Sequence, residues 1–270
     1  MAQEQIKICI AGACGRMGQR LLALAAADET FVITGAVERA DHPSVGQDIC
    51  ATIGLKAPLV VTSNVTECIA NCDVMTDFTT PEATLVHLDA AVKAQKAMVI
   101  GTTGITDDQR TKLQDMAARI PAVVAANMSL GVNALFALTD SAAQMLGEDF
   151  DLEIVEAHHR LKKDAPSGTA RRLAEILAER RGLKTSDDLR HGREGIIGAR
   201  PADEIGVHAV RGGDIVGEHT VVFAGLGERI ELTHRAHSRD TFVRGALVAA
   251  KFVVKQKPGV YNMQQVLGIK

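Results

Sequence analysis

Short apolar runs and amphipathic stretches take turns through the first half of the chain. Ile6 to Ala11 (IKICIA) is β-branched and apolar without alternation, as expected of a strand buried on both faces. The alanine- and leucine-rich stretch that follows reads as a helix. FVITGAVER, CDVMTDFTT, AMVIGTTG and PAVVAANMS read as further strands. Between them, PEATLVHLDAAVKAQ carries Pro81 in its opening turn, and in ITDDQRTKLQDMAARI the spacing of Thr106 and Gln109 suits a capping box. This β-α-β-α rhythm predicts an α/β fold: a Rossmann-type doubly wound parallel sheet with its ligand crevice at the C-terminal strand ends.

After Asn127 the pattern changes. MSLGVNALFALTDSAAQML predicts one long helix, DLEIVEAHH a strand, and SGTARRLAEILAERRG another helix. Residues 183–200 are polar and glycine-rich, as in a surface loop. The stretch from Ile205 to His237 alternates apolar and polar residues, with glycine turns at Gly212–Gly213 and Gly225 to Gly227. That alternation predicts antiparallel hairpins in a second α+β domain with a mixed or antiparallel sheet. TFVRGALVAAKFVVKQ is helical again and is expected to return to the first domain. The division is therefore 1–127 with 241–270 as a dinucleotide-binding domain, and 128–240 as a substrate-binding and oligomerisation domain.

Composition narrows the function. With 270 residues, 46% of them apolar, the chain can bury a substantial core. A net charge of −3, one tyrosine and no tryptophan argue against a nucleic-acid binder. No apolar run reaches the ~18 residues of a membrane span, and no secretory signal pattern opens the sequence. A cytoplasmic protein is expected. The five irregularly spaced cysteines fit a reducing compartment; Cys68 and Cys72 could share a helix face, but no metal site is expected.

The first chemical motif follows the first strand. Gly12, Gly15 and Gly18 are spaced three apart and lead straight into a helix, a turn that lets a pyrophosphate approach helix N–H groups. Cys14 stands where the usual second glycine would be. Glu38 and Arg39 end the next strand. A carboxylate there suits the ribose hydroxyls of NADH, whereas Arg39 with Arg16 suits the 2′-phosphate of NADPH. Thr79, Thr80, Gly101, Thr102, Thr103, Ala126 and Asn127 fall at later strand ends and are candidates for the nicotinamide half.

The second motif is EIVEAHHRLKKDAPSGTA, residues 153–170. His158, His159, Arg160, Lys162 and Lys163 gather cations and proton donors at a strand end. Ser167 is a good N-cap, and Gly168, Thr169 and Ala170 would open the helix that follows. A helix N-terminus beside such charges suits a ligand with two carboxylates. Histidine, near 6.5, is the side chain best placed to exchange protons, and lysine, near 10.4, arrives protonated.

This segment resembles the signature of the dihydrodipicolinate reductases. The resemblance extends to AGACGRMG, DFTTPEAT, VIGTTG, AANMSLGVN, RGGDIVGEH and FAGLGERIELTH, covering essentially the whole chain. It implies reduction of a cyclic imine dicarboxylate to tetrahydrodipicolinate, on the route to diaminopimelate and lysine, with NADPH or NADH. By that resemblance His158 is the general acid/base and Lys162 a second proton donor, while His159, Gly168 and Thr169 contact substrate carboxylates. It likewise assigns cofactor contacts to Gly12, Ala13, Cys14, Gly15, Arg16, Met17, Glu38, Arg39, Gly101, Thr102, Thr103, Ala125, Ala126, Asn127 and Met128. A homotetramer built through the second-domain sheets, and closure of the cofactor domain, are also implied. Cys14 replaces a family glycine, and Met128 stands where some members have phenylalanine. Aspartate and homoserine dehydrogenases lack the His-His-x-x-Lys segment joined to Ser-Gly-Thr. A nucleotide sensor without catalysis would be expected to lose His158 or Lys162.

Overall fold

The structure is a computed structural model that describes residues 5–55 and 57–269. Two compact units emerge: residues up to Ser129 together with those from Asp240 onward, and Leu130–Arg239.

In the first unit the chain runs β1 (Ile6–Ala11), α1 (Arg16–Ala26), β2 (Phe31–Val37), α2 (Cys50–Ile53), β3 (Val61–Thr62), α3 (Val65–Ala70) and β4 (Val74–Asp77). It continues through α4 (Pro81–Ala94), β5 (Ala97–Ile100), α5 (Asp107–Ala117) and β6 (Pro121–Val124). With β12 (Gly259–Tyr261), from the end of the chain, at one edge, the sheet order is β12-β6-β5-β4-β1-β2-β3, and its ladders are parallel. The order reverses between β1 and β4, where a doubly wound sheet opens its crevice. β4 and β5 are buried along their whole length, which explains the all-apolar β5 and the apolar start of β4, whose last two residues, Thr76 and Asp77, are polar and buried. Pro81 sits in the first turn of α4 behind the N-cap Thr80, and the Thr106–Gln109 capping box forms at α5. Cys68 and Cys72 do not share a helix face: α3 ends at Ala70, and both thiols are buried in the core. Burial pushes the Cys72 thiol up to about 12.

The second unit comprises α6 (Leu130–Leu146), β7 (Asp151–His158), α7 (Gly168–Arg181), β8 (Leu189–Arg190), β9 (Ile205–Arg211), β10 (Gly217–Gly225) and β11 (Glu228–Ala236). Its sheet order is β11-β10-β7-β9-β8. Burial alternates along β7 and β10, so one face is apolar. Leu152, Ile154, Val221 and Phe223 meet Leu135, Phe136, Leu173 and Leu177 of α6 and α7 in one core. The chain then returns to the first unit as α8 (Asp240–Val253), β12 (Gly259–Tyr261) and α9 (Met263–Val266).

The sheet is mixed, as one of the two expected forms, and the hairpins expected between Ile205 and His237 hold only in part. β10 and β11 form one, closed by Leu226 and Gly227, whose φ is +87°. β9, however, lies parallel to β7 on its other side. Gly212–Gly213 is therefore not a hairpin turn; it packs against the end of β7, with Gly212 N–H donating to the His158 carbonyl (2.9 Å) and Arg160 N–H to that of Gly213 (3.2 Å). Alternating hydrophobicity fixes which face is buried but not which strand is the neighbour.

Candidate active site

The glycine loop is a close-packed turn at the end of β1. Gly12 has φ +67°, and a Cβ there would lie 2.8 Å from Thr79 Cγ2. A Cβ on Gly18 would run into the Gly12 carbonyl oxygen, so only glycine lets α1 press against the loop. Gly15 is the N-cap of α1, Arg16 and Met17 open the helix, and Ala13 N–H donates to the Val37 carbonyl (3.0 Å). Glu38 follows β2 directly. Its carboxylate accepts the N–H of Cys14 (3.1 Å) and of Arg39 (3.1 Å), which fixes it beside the loop. Arg39 is exposed and pairs with Asp41 at 3.3 Å. The thiol of Cys14 stands with the side chains of Glu38 and His42, their ligand atoms all within 4.8 Å of one another.

The next strand ends converge on a residue that the sequence did not single out. Asp77, fully buried at the end of β4, accepts from Thr79 Oγ1 (2.6 Å), Thr79 N–H (2.9 Å), Thr84 Oγ1 (3.2 Å) and Thr102 Oγ1 (3.3 Å). His87 Nδ1 lies 2.7 Å from its other oxygen. The Thr102 hydroxyl is thus turned into the fold, and Thr102 offers the strand end its backbone. Gly101 follows β5, with Thr103 exposed after it. Ala125, Ala126 and Asn127 follow β6; Asn127 Oδ1 accepts Ser129 N–H (2.9 Å), and Met128 is buried.

The second cluster forms where β7 ends. His158 is the last residue of β7, and its Nδ1 lies 2.6 Å from Glu156 Oε2. Nε2 points the other way, over Gly217, where a Cβ would come within 3.0 Å of it. Burial lowers the His158 pKa below its ordinary value; Glu156 opposes that shift, while Lys162 and Arg211 add to it. For Glu156, burial alone would raise the pKa, but hydrogen bonds from Arg211, His158 and Ser167 outweigh it and the pKa falls. Lys162 Nζ binds Asp164 at 2.8 and 3.0 Å. His159 accepts the Lys162 N–H through its carbonyl (3.1 Å), so a turn brings the lysine back toward the histidines.

A cis peptide joins Ala165 to Pro166, and Ser167 then caps α7, its Oγ accepting Ala170 N–H (3.1 Å). Gly168 and Thr169 form the first turn, and Gly168 faces open space: a Cβ there would meet nothing within 4 Å. His219, from β10, sits underneath. Its Nε2 lies 2.9 Å from Ser167 Oγ, and its ring meets that of His158 edge-on at 5.2 Å. Burial pushes the His219 pKa down to about 3, so it stays neutral beside a histidine that titrates.

A family model for the N-terminal part of dihydrodipicolinate reductase matches residues 6–128, and one for the C-terminal part matches residues 131–267. The chain belongs to the dihydrodipicolinate reductase family. The 4-hydroxy-tetrahydrodipicolinate reductase of Geotalea uraniireducens (strain Rf4) is 51% identical over 266 residues, covering 98% of this chain and 100% of its own. That of Syntrophotalea carbinolica is 51% identical over 267 residues, with the same coverage. Among solved structures, the dipicolinate-bound dihydrodipicolinate reductase from Paenisporosarcina sp. TG-14 aligns with a TM-score of 0.75 at 29% identity. It covers 97% of this chain and 98% of its own. An amine dehydrogenase from Mycobacterium smegmatis, at 12% identity and a TM-score of 0.59, shares the fold.

Proposed function

We propose that this oxidoreductase of lysine biosynthesis uses NADPH or NADH to reduce 4-hydroxy-tetrahydrodipicolinate, or its dehydrated form, to tetrahydrodipicolinate, with His158 and Lys162 as proton donors. The activity is that of its full-length relatives. The observation that carries the residue assignment is the orientation of His158, with Nδ1 on buried Glu156 and Nε2 over the bare Cα of Gly217.

The first unit has the features a dinucleotide requires. Gly12 and Gly18 leave no Cβ in the way, the N-terminus of α1 attracts a pyrophosphate, and Glu38 stands ready for ribose hydroxyls. Arg16 and Arg39 suit a 2′-phosphate, and the backbone of Gly101 to Thr103 and of Ala125 to Met128 suits the nicotinamide half. When bound, the reduced nicotinamide would supply a hydride to C4 of the conjugated imine that forms once the C4 hydroxyl has left as water. The second unit binds the dicarboxylate through the α7 N-terminus at Gly168 and Thr169, and through His159. His158 then gives its proton from Nε2 to the carbon next to C4, and Lys162 holds charge and a second proton close by. Two bound carboxylates favour the imidazolium and so counter the downward shift that burial imposes on His158. Substrate binding therefore favours loading of that proton.

The second unit is also the proposed oligomerisation domain of a homotetramer working in the cytoplasm; light scattering checks the assembly. No helix among the described residues is long and apolar enough to cross a membrane. The test of the residue roles is His158→Gln: turnover falls by on the order of 100-fold or more while NADPH binding is unchanged. Full turnover would remove His158 from the chemistry, and lost cofactor binding would put it in the wrong site.

A further inference from the structure

The Glu156 carboxylate touches three parts of the second cluster at once: His158, Arg211 and the N-cap residue Ser167. Glu156 is completely buried, two residues before His158 on the same face of β7. Both of its oxygens are fully used. Oε2 meets His158 Nδ1 at 2.6 Å and accepts Arg211 Nη1 at 2.7 Å. Oε1 accepts Ser167 N–H at 3.0 Å and Arg211 Nη2 at 2.9 Å. Arg211 in turn donates to the Asp164 carbonyl at 2.7 Å, which anchors the loop carrying Lys162. His219 closes the circuit through Ser167 Oγ.

We propose that Glu156 is a positioning residue that sets, from one buried carboxylate, both the reacting nitrogen of His158 and the seat of the carboxylate-binding end of α7. This rests on the reading of His158 as the acid/base. An ionised carboxylate only accepts, so Oε2 requires the proton on Nδ1 and leaves Nε2 as the nitrogen that exchanges with substrate. The same group accepts the backbone N–H of the N-cap residue, so the helix end cannot move without disturbing the imidazole's partner. Arg211 neutralises the buried charge in a two-point pair, which keeps the carboxylate ionised and its plane fixed.

Glu156→Gln tests this, because an amide at that position can offer an N–H to Nδ1 and favour the wrong tautomer. The expected result is a kcat lower by on the order of 100-fold, with the KM of NADPH within about twofold. In a His158→Gln background the same change costs little more, about threefold at most, because Glu156 acts through His158. Independent, multiplying losses would overturn the proposal. So would a Glu156→Gln enzyme of wild-type turnover alongside an inactive His158→Gln; a fully active His158→Gln would overturn the reading beneath it as well. Loss of one partner of a buried ion pair can prevent folding. Nitrogen-15 spectra of the wild-type imidazoles therefore serve as the second measurement. A neutral His158 protonated at Nδ1 supports the proposal, and one protonated at Nε2 overturns it.

Discussion

Replacing His219 by glutamine should change how the protein responds to mild acid. His219 is 4% exposed, and burial pushes its pKa from the ordinary 6.5 down to about 3. In the unfolded chain the same ring takes up a proton near 6.5. Between these values the unfolded state binds more protons, so stability is fully present above 6.5 and is lost as the pH falls toward 3. The full shift corresponds to roughly 5 kcal/mol, at about 1.4 kcal/mol per pKa unit. From pH 7.5 to pH 5 the share lost is about 2 kcal/mol. Glu153, held at about 2 mainly by Arg193, His208 and Arg200 against the cost of burial, does not interfere there, because its contribution fades only below the ordinary carboxylate range. His158 and His234 are also depressed by burial and steepen the response, but they remain in the variant. Glutamine can keep the bond to Ser167 Oγ and cannot titrate. Urea unfolding at pH 7.5 and pH 5 should therefore show wild type losing about 2 kcal/mol more than His219→Gln. Parallel losses in the two proteins would refute the assignment of a buried neutral histidine.

Three further outcomes follow from the geometry. Gly217→Ala places a methyl 3.0 Å from Nε2 of an imidazole that Glu156 does not release, so kcat should fall at least about tenfold with NADPH affinity intact, read by steady-state kinetics. Gly18→Ala sets a Cβ against the Gly12 carbonyl and forces the loop and α1 apart; NADPH and NADH should both bind at least about tenfold more weakly, while dipicolinate binding by calorimetry stays unchanged. Arg39→Ala removes an exposed cation whose pair with Asp41 adds at most about 1 kcal/mol of stability, so its melting temperature should hold while NADPH weakens relative to NADH.

The sequence reveals those parts of the site that depend on local order. The strand–glycine–helix turn at Gly12 to Gly18 declares itself through composition, and Ser167 and Thr106 declare helix starts through their side-chain chemistry. What the chain does not reveal are contacts that depend on register. Arg211 reaches Glu156 because β9 runs parallel to β7 and aligns Arg211 with His158, and neither fact is written in an alternating pattern. His219 enters from β10 for the same reason. Glu156 was within reach of sequence reasoning, since a period of two puts it on the face of His158, but a glutamate on a strand usually reads as solvated. Asp77 was hidden similarly: its three hydroxyl donors, Thr79, Thr84 and Thr102, are spread over the ends of β4 and β5 and the start of α4. β3 and β12, at two and three residues, are too short for any periodicity to mark them.

The measurement closest to the central claim is oxidation of NADPH and NADH by the purified protein, with the substrate generated in situ from pyruvate and aspartate semialdehyde by the preceding synthase. Rapid oxidation that depends on the synthase and is lost in His158→Gln is the expected result. Intact cofactor binding with no synthase-dependent oxidation would contradict the claim.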